Sequence, residues 1–236
     1  MKIIRFLLFI FAFVLFSCSK KDSVSDENLG KFNTEQNIIF LIDCSLSMQS
    51  IDFEPNRQMA VVNKLRDEIK QTTENQKIGI FSFSQNANLV CPLTNDKKTL
   101  DSALKSTTKE WLKLRPGTNF SDAISNATLL LKGKNGKKYI FIFSDGNIAN
   151  LDQDLHNSLQ TAIQDSITIH TISVNPKDFA MTPKTIDAHG NLIFEKTPSK
   201  KPDILFNSIS KTTLGTFQWF SSENEIKNFS LQALLK

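Results

Sequence analysis

Glycine is scarce in this chain, 8 residues in 236, and no two of them stand as G-x-G. The glycine turn that admits a pyrophosphate against the backbone is therefore missing, which excludes a NAD or FAD enzyme of that type. Charge of one sign is also missing: 28 Lys and Arg face 24 Asp and Glu, a net +4 that announces no nucleic-acid binder. Arginine itself is rare, with Arg5, Arg57, Arg66 and Arg115 the whole complement, a bias shared with AT-rich codon usage. There are 3 cysteines. No apolar run reaches the roughly 20 residues that a membrane-crossing helix needs. What is present, 40% hydrophobic and 22% charged residues, describes a globular domain and fits neither disorder, nor collagen, nor a polytopic membrane protein.

The longest apolar run is Phe6 to Phe16, eleven residues behind the short basic start Met1-Lys2-Ile3-Ile4-Arg5. That length and those flanks predict a signal peptide over residues 1–17. The run closes on Leu15-Phe16-Ser17-Cys18, which resembles a bacterial lipobox, although Phe16 is bulkier than the residue usual there. The resemblance implies that Cys18 carries palmitate and anchors the protein in the bacterial envelope, at the outer membrane. Removing residues 1–17 takes away Lys2 and Arg5 and leaves a nearly neutral mature chain of 26 basic against 24 acidic residues. Ser19 to Gln36 is polar and reads, with Cys18, as a flexible tether over 18–36. Cys44 and Cys91 both lie in or beside apolar strand-like pieces and are expected as buried small hydrophobes without a disulfide.

From residue 37 to residue 236 the pattern is that of one domain. Ile38 to Ile42 and Tyr139 to Phe143 are unbroken apolar runs, and Ile78 to Phe83 and Ile167 to Val174 alternate in part. Such runs suit parallel strands covered on both faces. Between them Met59, Val62, Leu65 and Ile69 follow Pro55 at helical spacing, Ser121 to Leu131 has a second helical stripe, and Leu151, Leu155, Leu159 and Ile163 are spaced by four. Pro202 to Thr212 predicts a helix, Thr216 to Phe220 a strand, and Ser222 to Lys236 one final amphipathic helix. The alternation predicts an α/β fold, an open and mostly parallel sheet with helices on both faces. An insertion of about 175–201, with Pro176, Pro183 and Pro198, interrupts it; a hairpin around Asp187 to Asn191 and a mobile or partner-specific loop are expected there.

In sheets of this kind ligands bind beyond the carboxyl ends of the strands. Three loops meet that edge: Asp43-Cys44-Ser45-Leu46-Ser47, Gly117-Thr118-Asn119 and Ser144-Asp145-Gly146. Among their side chains the carboxylates of Asp43 and Asp145 and the hydroxyls of Ser45, Ser47 and Thr118 are oxygen donors that suit a hard cation such as Mg²⁺. Two negative charges neutralise a divalent ion and leave it electrophilic toward an acid from outside. Standing alone, Asp43, Ser45 and Ser47 would equally describe a turn whose side chains cap backbone groups.

With Thr118 and Asp145 in order behind it, the D-x-S-x-S of Asp43, Ser45 and Ser47 resembles the von Willebrand factor A-domain family with its complete metal-ion-dependent adhesion site. The resemblance runs over residues 37–236. It implies a Rossmann-like fold and Mg²⁺ or Mn²⁺ touched by Ser45, Ser47 and Thr118, with Asp43 and Asp145 acting largely through water. A partner protein's acidic residue would take the open position. Leu46 departs from the glycine common between the two serines. The stretch from the D-x-x-G-N of Asp187 to Asn191 onward also looks like the late part of bacterial aerotolerance-type members.

Other chemistries fit less well. A haloacid-dehalogenase-like phosphotransferase needs an acid where Ser45 stands, and His156, His170 and His189 share no motif. No Ser, His and Asp set has a nucleophilic arrangement, and a hydrolase using metal-activated water lacks a general base beside the site. The expectation is a non-enzymatic envelope lipoprotein that binds a protein partner through metal, with no nucleotide or nucleic acid. The competing reading is an assembly component of an envelope stress-response complex whose metal is mainly structural.

Overall fold

The structure is a computed structural model that describes residues 34–113, 115–146 and 153–235. The signal peptide, Cys18 and most of the tether lie outside the described residues. In chain order, β1 (Gln36–Asp43) leads through a 3-10 turn (Leu46–Gln49) to α1 (Arg57–Lys70), then β2 (Gln76–Phe83) and β3 (Ala87–Thr94). Next come α2 (Lys97–Thr107), α3 (Phe120–Leu131), β4 (Lys137–Ser144), α4 (Gln153–Gln164) and β5 (Ile167–Val174). The insertion forms β6 (Phe179–Ile186) and β7 (Leu192–Pro198), and α5 (Asp203–Thr212), β8 (Phe217–Phe220), α6 (Glu223–Ile226) and α7 (Leu231–Leu234) close the chain.

Six strands make one sheet in the order β3-β2-β1-β4-β5-β8, and β6 and β7 make a separate two-stranded one. All pairings in the large sheet are parallel except β2 with β3. The central strands read as continuous apolar runs because both faces are covered. Ile38, Phe40 and Ile42 join Tyr139, Phe141 and Phe143 under Val61, Leu65 and Ile69 of α1 and Leu100 and Leu104 of α2. The alternate residues Ile39, Leu41, Ile140 and Ile142 pack against Ala123, Ile124 and Ala127 of α3, Leu155 and Leu159 of α4, and Phe206 of α5. Cys44 and Cys91 are free and buried, as expected.

Three details differ from the sequence reading. Helix α1 opens at Arg57, not Pro55, because the Asn56 side chain caps it by accepting the Met59 N–H. The expected single helix over 222–236 is two short ones, each capped by its own serine, Ser222 and Ser230. The break sinks Phe229 into the core, and the Leu231 N–H donates to Glu68 Oε2 at 2.7 Å. Helix α2, whose buried side chains are Leu100, Leu104 and Thr107, has no counterpart in the sequence reading. The insertion is a paired hairpin whose Asp187 Oδ1 accepts the His189 and Asn191 N–H groups, and the Ile51 N–H donates to Met181 O, fastening the hairpin beside the first loop.

Candidate functional site

The register of the sheet brings the predicted residues to one edge. Asp43 ends β1 opposite Phe83 of β2, while Ile42 lies opposite Phe143, so the β1 and β4 exits are neighbours. The Cys44 N–H continues the ladder to Phe83 O at 2.7 Å. Asp43 is fully buried; its Oδ1 accepts the Ser45 N–H at 2.8 Å and its Oδ2 accepts the Ser144 hydroxyl at 2.5 Å. Ser144 Oγ accepts in turn from the Gly146 N–H at 3.1 Å. Gly146 has φ +73°, and a Cβ there would stand 2.3 Å from Pro202 Cβ, so only glycine lets the chain leave Asp145 this way.

The third loop is pinned to β2. Ser84 Oγ donates to Arg115 O at 2.7 Å and the Asn119 N–H donates to Ser84 O at 2.7 Å, which leaves the half-buried Thr118 at the same sheet edge. Asn119 then caps α3 through the Asp122 N–H, and Asp122 Oδ2 accepts the Ala87 N–H. Leu46, the departure inside the motif, is 39% exposed at the loop tip and stands with Ser47 on the wall of the cavity that Arg57 and Asp145 also line.

The donor set fits a small hard cation on two observations. Two ligands at about 2.0–2.1 Å in adjacent positions of an octahedron stand about 3 Å apart, and Ser45 Oγ and Ser47 Oγ, hydrogen-bonded to each other, are separated by 3.1 Å, so the spacing an ion needs is already met. Burial, and then the like charge of Asp145, push the Asp43 carboxyl up to about 7, against the lowering effect of the Ser144 and Ser45 hydrogen bonds. A divalent ion between these carboxylates would relieve that repulsion. Among the described residues no group of three or more His, Cys, Asp or Glu is arranged to hold a metal.

Sequence reasoning missed the cation already beside the site. Arg57, at the first position of α1, is 1% exposed. Its Nε and Nη2 donate to Asp52 Oδ1 and Oδ2 at 2.8 and 2.6 Å, and its Nη1 donates to Asp145 Oδ2 at 3.0 Å. Ser47, Arg57 and Asp145 line a cavity of about 320 Å³, bounded on its other side by Ala180, Thr182 and Thr197 of the hairpin. The signal was there to be used, since a basic residue in the first turn of a helix meets the positive end of the dipole and calls for an acid nearby.

Residues 38–147 match the family model for the von Willebrand factor type A domain, a span that holds all five motif positions. The chain has the von Willebrand factor type A fold. Solved structures share the fold. An aerotolerance-related membrane protein from Bacteroides fragilis superposes with a TM-score of 0.68 at 21% identity, over 85% of this chain and 96% of that one. BatB, a conserved hypothetical protein from Bacteroides thetaiotaomicron, does so with a TM-score of 0.67 at 22% identity, over 82% of this chain and 93% of that one. An uncharacterized protein of Borreliella burgdorferi is 23% identical over 173 residues, 72% of this chain and 50% of that protein. This chain thus spans about half the length of that curated relative.

Proposed function

We propose that this von Willebrand A domain is a non-catalytic binding module that captures a protein partner through Mg²⁺ or Mn²⁺. The observation that carries the reading is the Ser45–Ser47 oxygen pair at 3.1 Å beside two buried carboxylates on adjacent strand ends. Ser45, Ser47 and Thr118 would hold the ion directly, and Asp43 and Asp145 would hold its waters. When bound, the ion supplies a Lewis-acidic position for a carboxylate of the partner. Asp43 orients the first loop through the Ser45 N–H, and Ser144 keeps Asp43 from turning away.

The protein is further proposed to sit in the bacterial envelope, held by lipid on Cys18 at the outer membrane. The lipobox-like Leu15-Phe16-Ser17-Cys18 supports this, as does the likeness in fold to a protein described as an aerotolerance-related membrane protein. No helix among the described residues is long and apolar enough to cross a membrane.

The test is capture of envelope proteins on the immobilised domain, with identification of what elutes in EDTA. Asp43→Ala and Thr118→Ala are expected to abolish the EDTA-sensitive capture while keeping a cooperative melt, and Mg²⁺ or Mn²⁺ to restore it to the wild type better than Ca²⁺, whose longer bonds and higher coordination number suit this set poorly. Retention of the same partner by Asp43→Ala in EDTA would overturn the metal bridge in favour of an assembly role with a structural metal.

A further inference from the structure

Resting on the metal reading above, we propose that Arg57 is a positioning residue built into the site. It fixes Asp145 by one carboxylate oxygen and sets a permanent positive charge beside the cation, so that the bound metal depends on an acid from outside.

The geometry is a relay of charges. Asp52 grips the guanidinium as a two-point fork at 2.8 and 2.6 Å, which fixes the plane and direction of the group. The remaining Nη1 reaches Asp145 Oδ2 at 3.0 Å. Side-chain exposure is 2% for Arg57, 10% for Asp52 and 4% for Asp145, so the relay is shielded from solvent and salt. The backbone adds to the grip, because the Arg57 N–H donates to Ser50 O and the Ser50 hydroxyl donates to Ser47 O at 2.6 Å. The loop that carries the two serine ligands and the helix start that carries Arg57 are therefore one unit.

Charge counting gives the consequence. Asp43, Asp52 and Asp145 against Arg57 leave a deficit that one divalent ion cancels in full. Asp52, however, lies on the far side of the guanidinium from Asp145. Standing beyond Arg57, Asp52 offsets the arginine charge at the ion only in part, so a divalent ion there keeps surplus positive charge. Removing Arg57 makes the site more negative, which favours metal and disfavours an incoming acid. Removing Asp52 does the reverse. If the relay served only to brace the loop, both changes would loosen the same serines and weaken metal together.

The experiment measures Mn²⁺ affinity by electron paramagnetic resonance on the mature chain at pH 7.5 and low salt, and then acetate binding to the Mn²⁺-loaded protein. Arg57→Gln is expected to bind Mn²⁺ on the order of tenfold more tightly and acetate more weakly; Asp52→Asn, farther from the ion, is expected to bind Mn²⁺ more weakly and acetate more tightly, each by a smaller factor. Arg57→Lys, which keeps the charge and loses the fork, should stay within about threefold of the wild type for Mn²⁺. Should Arg57→Gln fail to fold, the opposed Mn²⁺ and acetate shifts of Asp52→Asn carry the test. Shifts of the same sign in Arg57→Gln and Asp52→Asn, or Asp52→Asn weakening metal and acetate alike, would overturn the proposal while leaving the metal site standing. Absence of Mn²⁺ binding to the wild type would overturn both.

Discussion

Replacing Asp43 with Asn should make the metal-free domain more stable while disabling the proposed metal site. The Asp43 carboxyl, raised from an ordinary 3.8 to about 7 by burial and by Asp145, is easier to protonate in the folded protein than in the unfolded chain. The stability it contributes is therefore complete below about 3.8 and is lost as pH rises through about 7. The difference of roughly 3 pH units, at 1.36 kcal/mol each, sets a ceiling of about 4 kcal/mol on the cost of carrying the charge at pH 8. Asparagine keeps an oxygen for the Ser45 N–H and presents its amide to Ser144 Oγ, which can accept as well as donate. For a domain of this size, 1 kcal/mol moves the melting temperature by about 2–4 °C. Asp43→Asn should accordingly melt above the wild type in EDTA at pH 8, by about 16 °C at the ceiling, and the gap should close toward pH 4. Added Mg²⁺ should raise the wild type alone. An Asp43→Asn protein that melts below the wild type in EDTA at pH 8 would show that the Ser45 and Ser144 hydrogen bonds outweigh burial, and the electrostatic account would be wrong.

Two further outcomes follow from the packing. Burial lowers His170 from 6.5 to about 4, while its ring stacks on Phe141 at 4.7 Å and its Nδ1 accepts the Thr216 N–H. Stability due to neutral His170 is complete above 6.5 and is lost as pH falls through about 4, so urea unfolding at pH 7 and pH 4.5 should show the wild type losing about 2–3 kcal/mol more than His170→Phe over that interval; equal losses would contradict it. In Gly215→Ala the new Cβ would lie 1.9 Å from Ile169 O, in backbone that cannot yield, and a loss above about 3 kcal/mol or failure to fold is expected. Gly190→Ala at the open hairpin tip, with φ +87°, should cost about 1 kcal/mol in the same assay, and similar costs at the two positions would refute the steric argument.

The fold was legible wherever burial alone decides the pattern. Both faces of β1 and β4 are covered, so Ile38 to Ile42 and Tyr139 to Phe143 stand out as unbroken apolar runs, and register then carries the residues that follow them to one edge. Legibility failed where a few polar atoms decide. Nothing in the periodicity of 222–236 distinguishes one helix from two, because the break depends on a serine cap at Ser230 and on an acceptor, Glu68, far away in the chain. Helix α2 escaped because its buried stripe is only Leu100, Leu104 and Thr107. At the site, motif spacing located Asp43, Ser45, Ser47, Thr118 and Asp145, whereas Arg57 was visible only as a misplaced charge at a helix start. Its partners lie 5 and 88 residues away, and no local pattern joins them.

The way the three loops are held bears on how such a site would work. The first is tied by Asp43 to Ser45 and by Ser50 to Ser47, the Thr118 loop is tied to Ser84, and the Asp145 turn is tied to Ser144 and clamped by Arg57. Most of these ties run to the end of a central strand or to a helix start, and Ser50 is itself bonded to the Arg57 N–H, so little ordering entropy remains for a ligand to remove. Affinity in a site built this way is governed by desolvation and by net charge, which are the quantities Arg57 and Asp52 control. The hairpin is a separate pair of strands fastened to the first loop by the Ile51 N–H on Met181 O and closed at its base by Asn175 Nδ2 on Lys200 O. Across the cavity it faces the same serine and aspartate, so it can shape what approaches the edge without disturbing the side chains that would hold the ion.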